Sequence, residues 1–330
     1  MNFIAFSVRD DEWPYFEKWA QVNNVKVDLH SEEISEDNLD TIKGYDAVIG
    51  LQTGTYPLGL FAKMQEYGVK DLSIRNVGVD NIDLAVASQK GVTVTNVPAY
   101  SPNAIAEFAV TQLMQMLRQT RTYRRKFAEQ DYRWAPYISK ELRSMTVGVV
   151  GTGRIGRAFI QIVQGFGAKV VAFDPYHNPE LEAAGLYVDS LEELFAKADA
   201  ISLHMPATDQ DRHIIGQEAL AQMKDGVYLV NTARGSLIDT KALIAALKSG
   251  KVAGAALDTY EAETPIFNHD LRNQALTDET FKELISLDNA LVTPHIPFYT
   301  ETAVQNMVEI ALDSAKSVLE TGQASTIVNA

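Results

Sequence analysis

The stretch Thr146-Val147-Gly148-Val149-Val150-Gly151-Thr152-Gly153-Arg154-Ile155-Gly156 reads as a buried strand running into a glycine-rich turn and then a helix. Its spacing is G-x-G-x-x-G. Gly151 serves the tight turn, Gly153 lets the backbone approach a pyrophosphate, and Gly156 allows the new helix to pack closely on the strand. The helix N-terminus then offers free N–H groups and a partial positive charge to phosphate oxygens. Three glycines in six residues also occur in ordinary loops, so the context decides. Lys169-Val170-Val171-Ala172-Phe173-Asp174 reads as the next strand, ending on an acid. A carboxylate at that point accepts hydrogen bonds from the adenosine ribose hydroxyls. It also repels a 2′-phosphate, so NAD is expected rather than NADP.

Working outward, the α/β rhythm continues on both sides. Ala200 to His204, Val227 to Asn231, Ala253 to Asp258 and Ala290 to Thr293 read as strands, with helix-length segments such as Lys241 to Lys248 between them. Ahead of the glycine turn, residues 2–8, Tyr45 to Gly50 and Leu72 to Asn76 read as strands, with a helical segment from Leu58 to Tyr67. Such alternation predicts parallel sheets. The expected class is α/β with two doubly wound parallel-sheet domains. Pro98-Ala99-Tyr100-Ser101-Pro102 marks a boundary: Ser101 suits a helix cap and Pro102 the first helical position. Ile105, Ala109, Leu113, Met116 and Leu117 follow at helical spacing, as a core stripe or a subunit contact. Residues 301–321 carry a last helical pattern, which returns to the first domain. The predicted division is 1–100 plus 299–330 for the substrate domain and 101–298 for the NAD domain. Glu261 to Asp288 reads as a long polar loop with a short helix.

Composition narrows the function classes. The chain has 330 residues, 46% of them apolar, which suits two folded domains. It contains no run of about 18 apolar residues, so no membrane span is expected. Met1 to Arg9 lacks the basic and apolar regions of a signal peptide. Cysteine is absent, which excludes disulfides, thiolate catalysis and cysteine metal sites and fits a cytoplasmic location. No metal site is expected. A net charge of −14 argues against nucleic-acid binding, which needs a basic face.

Ligands of open α/β sheets bind at the carboxyl ends of the strands. Four residues in such places carry suitable chemistry: Arg234, Asp258, Glu263 and His295. An arginine fork holds a carboxylate through two parallel hydrogen bonds; the alternative for Arg234 is a surface ion pair. Histidine exchanges protons near neutral pH. His295 is favoured over His30, His177 and His269 by position, while His204 competes because it too ends a strand. A carboxylate bonded to an imidazole N–H fixes its tautomer. Asp258 and either Glu261 or Glu263 are candidates; the alternative is a solvated acidic loop.

Taken together, these residues resemble the D-isomer-specific 2-hydroxyacid dehydrogenases along essentially the whole chain. The likeness rests on Arg75-Asn76-Val77-Gly78-Val79-Asp80-Asn81-Ile82-Asp83, on Asn96 through Glu107, and on Gly151 through Gly156. It continues in Asn231-Thr232-Ala233-Arg234-Gly235, Asp258-Thr259-Tyr260-Glu261-Ala262-Glu263 and Pro294-His295. Tyr132-Arg133-Trp134-Ala135-Pro136 and Phe298-Tyr299-Thr300 look like the branch acting on lactate and hydroxyisocaproate. The resemblance implies a Rossmann NAD domain inserted into a flavodoxin-like substrate domain, and a homodimer with residues 101–145 as the main contact. It implies NADH-dependent reduction of a 2-keto acid, pyruvate first, with domain closure excluding water. His295 would be the acid/base, Glu263 its partner, and Arg234 the clamp on the substrate carboxylate. Gly151, Gly153, Arg154, Ile155, Gly156, Asp174, Met205, Pro206, Thr232, Ala233, Arg234 and Asp258 would line the NAD site. The backbone N–H groups of Val77 and Gly78, with Tyr100, Leu51 and Phe298, would meet the substrate.

Two departures bear on the substrate. Lactate-type relatives tend to carry a tyrosine where this chain has Leu51, and leucine leaves room for a branched or aromatic tail, as in the hydroxyisocaproate type. Phe298 is the lactate-like choice. His295-Ile296-Pro297 replaces the commoner His-Thr-Ala and stiffens the loop holding Phe298. The chain ends 35 residues after His295, which leaves no room for the regulatory domain of phosphoglycerate-type relatives. A reading from another class is an NAD(H)-sensing, corepressor-like binding protein of the same fold.

Overall fold

A computed structural model describes residues 1–52 and 54–329. The chain forms two compact units, Met1–Ser101 with Tyr299–Ala330, and Pro102–Phe298.

The first unit is built on a five-stranded parallel sheet: β1 (Asn2–Ala5), β2 (Lys26–Leu29), β3 (Ala47–Gly50), β4 (Asp71–Ile74) and β5 (Thr93–Thr95), in the order β2-β1-β3-β4-β5. Side chains alternate across a sheet, and here both faces are apolar because both are covered. Ile4, Val48, Leu72 and Val94 enter one core. Phe3, Ala5, Ala47 and Ile49 enter the other, under Val308, Ala311, Leu312 and Ala315 of the helix Glu301–Thr321. Thr300 caps that helix by accepting from the Ala303 N–H, and Gly322 ends it at φ 72°. The strand predicted over residues 2–8 stops at Ala5, since Ser7 turns the backbone left-handed at φ 54°. Local sequence pattern does not mark β2 and β5. The edge strand Lys26-Val27-Asp28-Leu29 is not fully covered, and β5 has three residues, too few to show a period.

The second unit carries a six-stranded parallel sheet: β6 (Thr146–Val150), β7 (Lys169–Phe173), β8 (Ala200–Leu203), β9 (Val227–Asn231), β10 (Val252–Leu257) and β11 (Ala290–Val292), in the order β11-β10-β9-β8-β6-β7. Tyr187 adds one parallel bridge to Ala172 on the outer edge of β7. The strand order reverses at β6, so a crevice opens at the carboxyl ends of β6 and β8. The apolar stripe after Pro102 is core: Ala106, Ala109 and Leu113 of the helix Pro102–Leu117 pack with Phe159, Ile160 and Val163 of the helix Arg154–Gly165. Among the described residues, no helix is long and apolar enough to cross a membrane.

Candidate active site

The glycine turn lies at that strand reversal. Gly151 has φ 91°, and a Cβ there would fall 2.6 Å from the His204 carbonyl carbon. A Cβ on Gly156 would fall 2.0 Å from the Gly151 oxygen, so helix and turn meet too closely for any side chain. Gly153 differs: no atom lies within 4 Å of where its Cβ would be. The turn therefore has an open side, directly before the first residues, Arg154 and Ile155, of the helix Arg154–Gly165. Asp174 follows β7. Its Oδ2 accepts from the Thr152 N–H at 2.6 Å and the Thr152 hydroxyl at 3.1 Å, and its Oδ1 from the Tyr176 N–H at 2.8 Å. Met205 and Pro206 lie past the end of β8, across the same reversal.

Past β9, the Asn231 side chain folds the turn. Its Oδ1 accepts from the Ala233 N–H at 3.0 Å, and its Nδ2 donates to the Arg234 carbonyl at 2.8 Å. Thr232 keeps a buried hydroxyl with no hydrogen-bond partner among the described residues. Arg234 is half-buried, with Nη1 donating to the Ala233 carbonyl at 2.9 Å.

His295 follows β11 in the left-handed region, at φ 56°. Its N–H donates to the Asp258 carbonyl at 2.9 Å, which holds this disfavoured backbone in place. Its Nδ1 lies 2.8 Å from Glu263 Oε1. Glu263 is itself fixed, because its Oε2 accepts from the Tyr260 N–H at 2.9 Å. The carboxylate can only accept, so Nδ1 carries the proton and Nε2 is left to exchange one. Glu261 faces elsewhere, accepting from His213 Nε2 at 3.0 Å and Arg212 at 3.2 Å. The choice between the two glutamates thus falls to Glu263.

Asp258, at the end of β10, is 1% exposed. Its Oδ1 accepts from the Thr293 hydroxyl at 2.6 Å and the Ile296 N–H at 3.2 Å, while Oδ2 has no donor among the described residues. Burial pushes its carboxyl up to about 7, against the opposing effects of the Thr293 hydroxyl and the His295 charge. Gln112 steadies Thr293 from the helix Pro102–Leu117, at 3.1 Å. Thr293 and Gln112 join the site only through these contacts in the fold. A glutamine only 3% exposed inside an apolar stripe is the signal that marks Gln112.

His204, the competing histidine, is enclosed. Burial pulls its pKa down to about 3, its Nε2 meets the Ser202 hydroxyl at 2.9 Å, and its ring packs on Phe159 at 4.8 Å. It is neutral at physiological pH and supports the glycine turn from below.

In the first unit, Leu51 follows β3 and is half-buried. Past β4, Asn76 Nδ2 donates to the Gly78 carbonyl at 2.6 Å and Asn96 Nδ2 to the Val77 carbonyl at 2.7 Å. These bonds pin the turn by its carbonyls, and the Val77 and Gly78 N–H groups donate to no atom among the described residues. The Tyr100 carbonyl accepts from Asn306 Nδ2 at 2.6 Å. Phe298, half-buried, closes the second unit.

A dinucleotide fits the second unit. The helix N-terminus with the open face at Gly153 suits a pyrophosphate, and the buried Asp258 Oδ2 lacks a donor of the kind a carboxamide has. Among the described residues, no group of three or more His, Asp or Glu side chains is arranged to hold a metal.

Known proteins resemble this chain along its length. Residues 110–297 match the family profile described as D-isomer specific 2-hydroxyacid dehydrogenase, NAD binding domain. The chain is 55% identical over 329 residues to a D-lactate dehydrogenase of Lactiplantibacillus plantarum, covering 99% of each chain. It superposes on a solved D-2-hydroxyisocaproate dehydrogenase with a TM-score of 0.93 at 44% identity, covering 100% of both chains. An NAD-complexed D-isomer specific 2-hydroxyacid dehydrogenase from Lactobacillus delbrueckii ssp. bulgaricus gives 0.89 at 37% identity, covering 99% of this chain and 100% of that one. With the likeness running end to end in both sequence and structure, this chain belongs to the NAD-dependent D-isomer specific 2-hydroxyacid dehydrogenases.

Proposed function

We propose that this enzyme reduces pyruvate to D-lactate with NADH and accepts larger 2-keto acids at the same site. The observation that carries the reading is the His295–Glu263 pair at 2.8 Å, on the same sheet edge as Arg234 and the dinucleotide turn. Bound NADH supplies the hydride for C2 of the keto acid. Nε2 of His295 gives a proton to the carbonyl oxygen as charge develops there. Glu263 is a positioning residue, which holds the ring in the tautomer that leaves Nε2 facing outward. Arg234 clamps the substrate carboxylate and stabilises the growing negative charge. We assign further carboxylate contacts to the N–H groups of Val77 and Gly78, and the substrate tail to Leu51, Tyr100 and Phe298.

The cofactor is assigned to Gly151, Gly153, Arg154, Ile155 and Gly156 for the pyrophosphate, and Asp174 for the adenosine ribose. Met205, Pro206, Thr232, Ala233, Arg234 and Asp258 complete the nicotinamide half. The first unit is then the substrate domain and the second the NAD domain.

The pocket residue Leu51 supports a second reading within the family, a preference for branched or aromatic 2-keto acids. One experiment separates these readings: kcat/KM with NADH for pyruvate, 2-ketoisocaproate and phenylpyruvate, in wild type and Leu51→Tyr. Pyruvate is expected to turn over, and the tyrosine to shift preference toward it. Absence of turnover with every keto acid, while NADH still binds, leaves only the cofactor-sensing reading.

The enzyme is proposed to be a cytoplasmic homodimer. Phe127, Tyr132, Trp134 and Ile138 are 69%, 67%, 84% and 91% exposed within one short stretch, a density of bare apolar groups that suits a second copy. A sedimentation mass of one chain at micromolar concentration overturns the dimer.

A further inference from the structure

The carboxylate of Asp174 ends a hydrogen-bonded chain that begins outside the glycine turn. The Asn178 N–H donates to the Tyr187 phenol oxygen at 2.8 Å, and the Tyr187 and Thr152 hydroxyls are 2.7 Å apart. The Thr152 hydroxyl lies 3.1 Å from Asp174 Oδ2. The direction of this chain is determined by its ends. An ionised carboxylate only accepts, so the single Thr152 hydroxyl proton points to Asp174. Thr152 therefore accepts from Tyr187, whose own oxygen accepts the Asn178 N–H. Every proton has one place to go.

The consequence reaches the cofactor. Asp174 Oδ2 takes two donors from Thr152, its N–H at 2.6 Å and its hydroxyl, so its lone pairs are filled. Oδ1 takes one donor, from Tyr176. The relay thus leaves Oδ1 as the oxygen open to a ribose hydroxyl and keeps the carboxylate from swinging aside. Tyr187 is well anchored for this. The Ala172 N–H donates to the Leu186 carbonyl at 2.8 Å and the Val188 N–H to the Ala172 carbonyl at 3.0 Å, which ties Tyr187 to the edge of β7. The His177 ring stacks on it at 3.9 Å, with 1° between the planes.

We infer that Tyr187 is a positioning residue for cofactor selection: through Thr152 it holds the Asp174 carboxylate where it accepts the NADH ribose and opposes the NADPH phosphate. This rests on the placing of the adenosine ribose at Asp174 proposed above. The test is steady-state kinetics with NADH and NADPH, alongside thermal unfolding, for Tyr187→Phe, Thr152→Val, the double variant and Asp174→Ala. Loss of one hydrogen bond predicts about a five-fold rise in the KM for NADH in Tyr187→Phe, expressed in KM rather than kcat. The NADPH-to-NADH ratio of kcat/KM rises with it. Thr152→Val gives a similar change, and the double variant no more than either single one, since all break the same chain. A purely structural role would lower the unfolding temperature without moving the ratio, and that result overturns the relay. An unmoved ratio in Tyr187→Phe with a moved one in Asp174→Ala overturns the relay alone. No change in either overturns it together with the ribose placement.

Discussion

Two strands of one sheet each lead into a histidine, and the two histidines have opposite fates. His204 follows β8, next to the strand reversal, where the helix Arg154–Gly165 closes over the sheet and Phe159 covers the ring. Desolvation there disfavours the cation, and the nearest polar group, the Ser202 hydroxyl, brings no charge to oppose it. His295 follows β11 with its side chain 39% exposed, and a carboxylate faces its ring. The residue type and the place at a strand end are the same. What separates a packing residue from a candidate proton donor is the neighbour: an aromatic ring in one case, an acid in the other.

The widest test of that contrast is to make the same change at both sites. His295→Gln should lower kcat by about 10²–10⁴, with NADH binding and unfolding temperature near wild type. His204→Gln should do the reverse, losing roughly 1–3 kcal/mol of stability through an imperfectly bonded buried amide while kcat changes far less. Stopped-flow turnover with thermal unfolding on both variants reads the result, and equal losses of kcat would erase the distinction.

A smaller effect probes the cost of the His295 end. Asp258 supports the His295 loop through its backbone, yet its carboxyl is buried and pushed up to about 7 from an ordinary 3.8. Between these values the folded chain holds a proton that the unfolded chain releases, so this group's contribution to stability falls as pH rises and levels off above about 7. Asn cannot ionise. The stability of Asp258→Asn relative to wild type should therefore grow from pH 4 to pH 7, by at most about 1.4 kcal/mol per pH unit, and then stay constant. Denaturant unfolding of the cofactor-free protein at pH 5 and pH 8 measures it; a pH-independent difference would show that Asp258 ionises freely.

The strand-end places of the glycine turn, Asp174, Arg234 and His295 were legible in the sequence, because local pattern already marks the strands they follow. The alternative between Glu261 and Glu263 was not. Both lie in one polar turn, and the bond from the Tyr260 N–H to Glu263 decides which acid points at the ring. His204 escaped sorting for a similar reason, since its burial comes from a helix that starts fifty residues earlier in the chain. Tyr187 was invisible, as it acts across a gap in sequence and its residue type announces no role, and Gln112 showed only as a polar residue inside an apolar stripe.

The amino-acid sequence by itself determined the α/β class, the dinucleotide turn and the set of groups able to bind a carboxylate and move a proton. Strand period, glycine spacing and side-chain chemistry are local properties, and local properties survive in a string of letters. Only the tertiary structure decided which histidine is buried and kept neutral, which glutamate faces His295 and how the donors around Asp174 are arranged. Those outcomes depend on burial and on hydrogen-bond direction, and both are set by atoms that the fold brings together from distant parts of the chain.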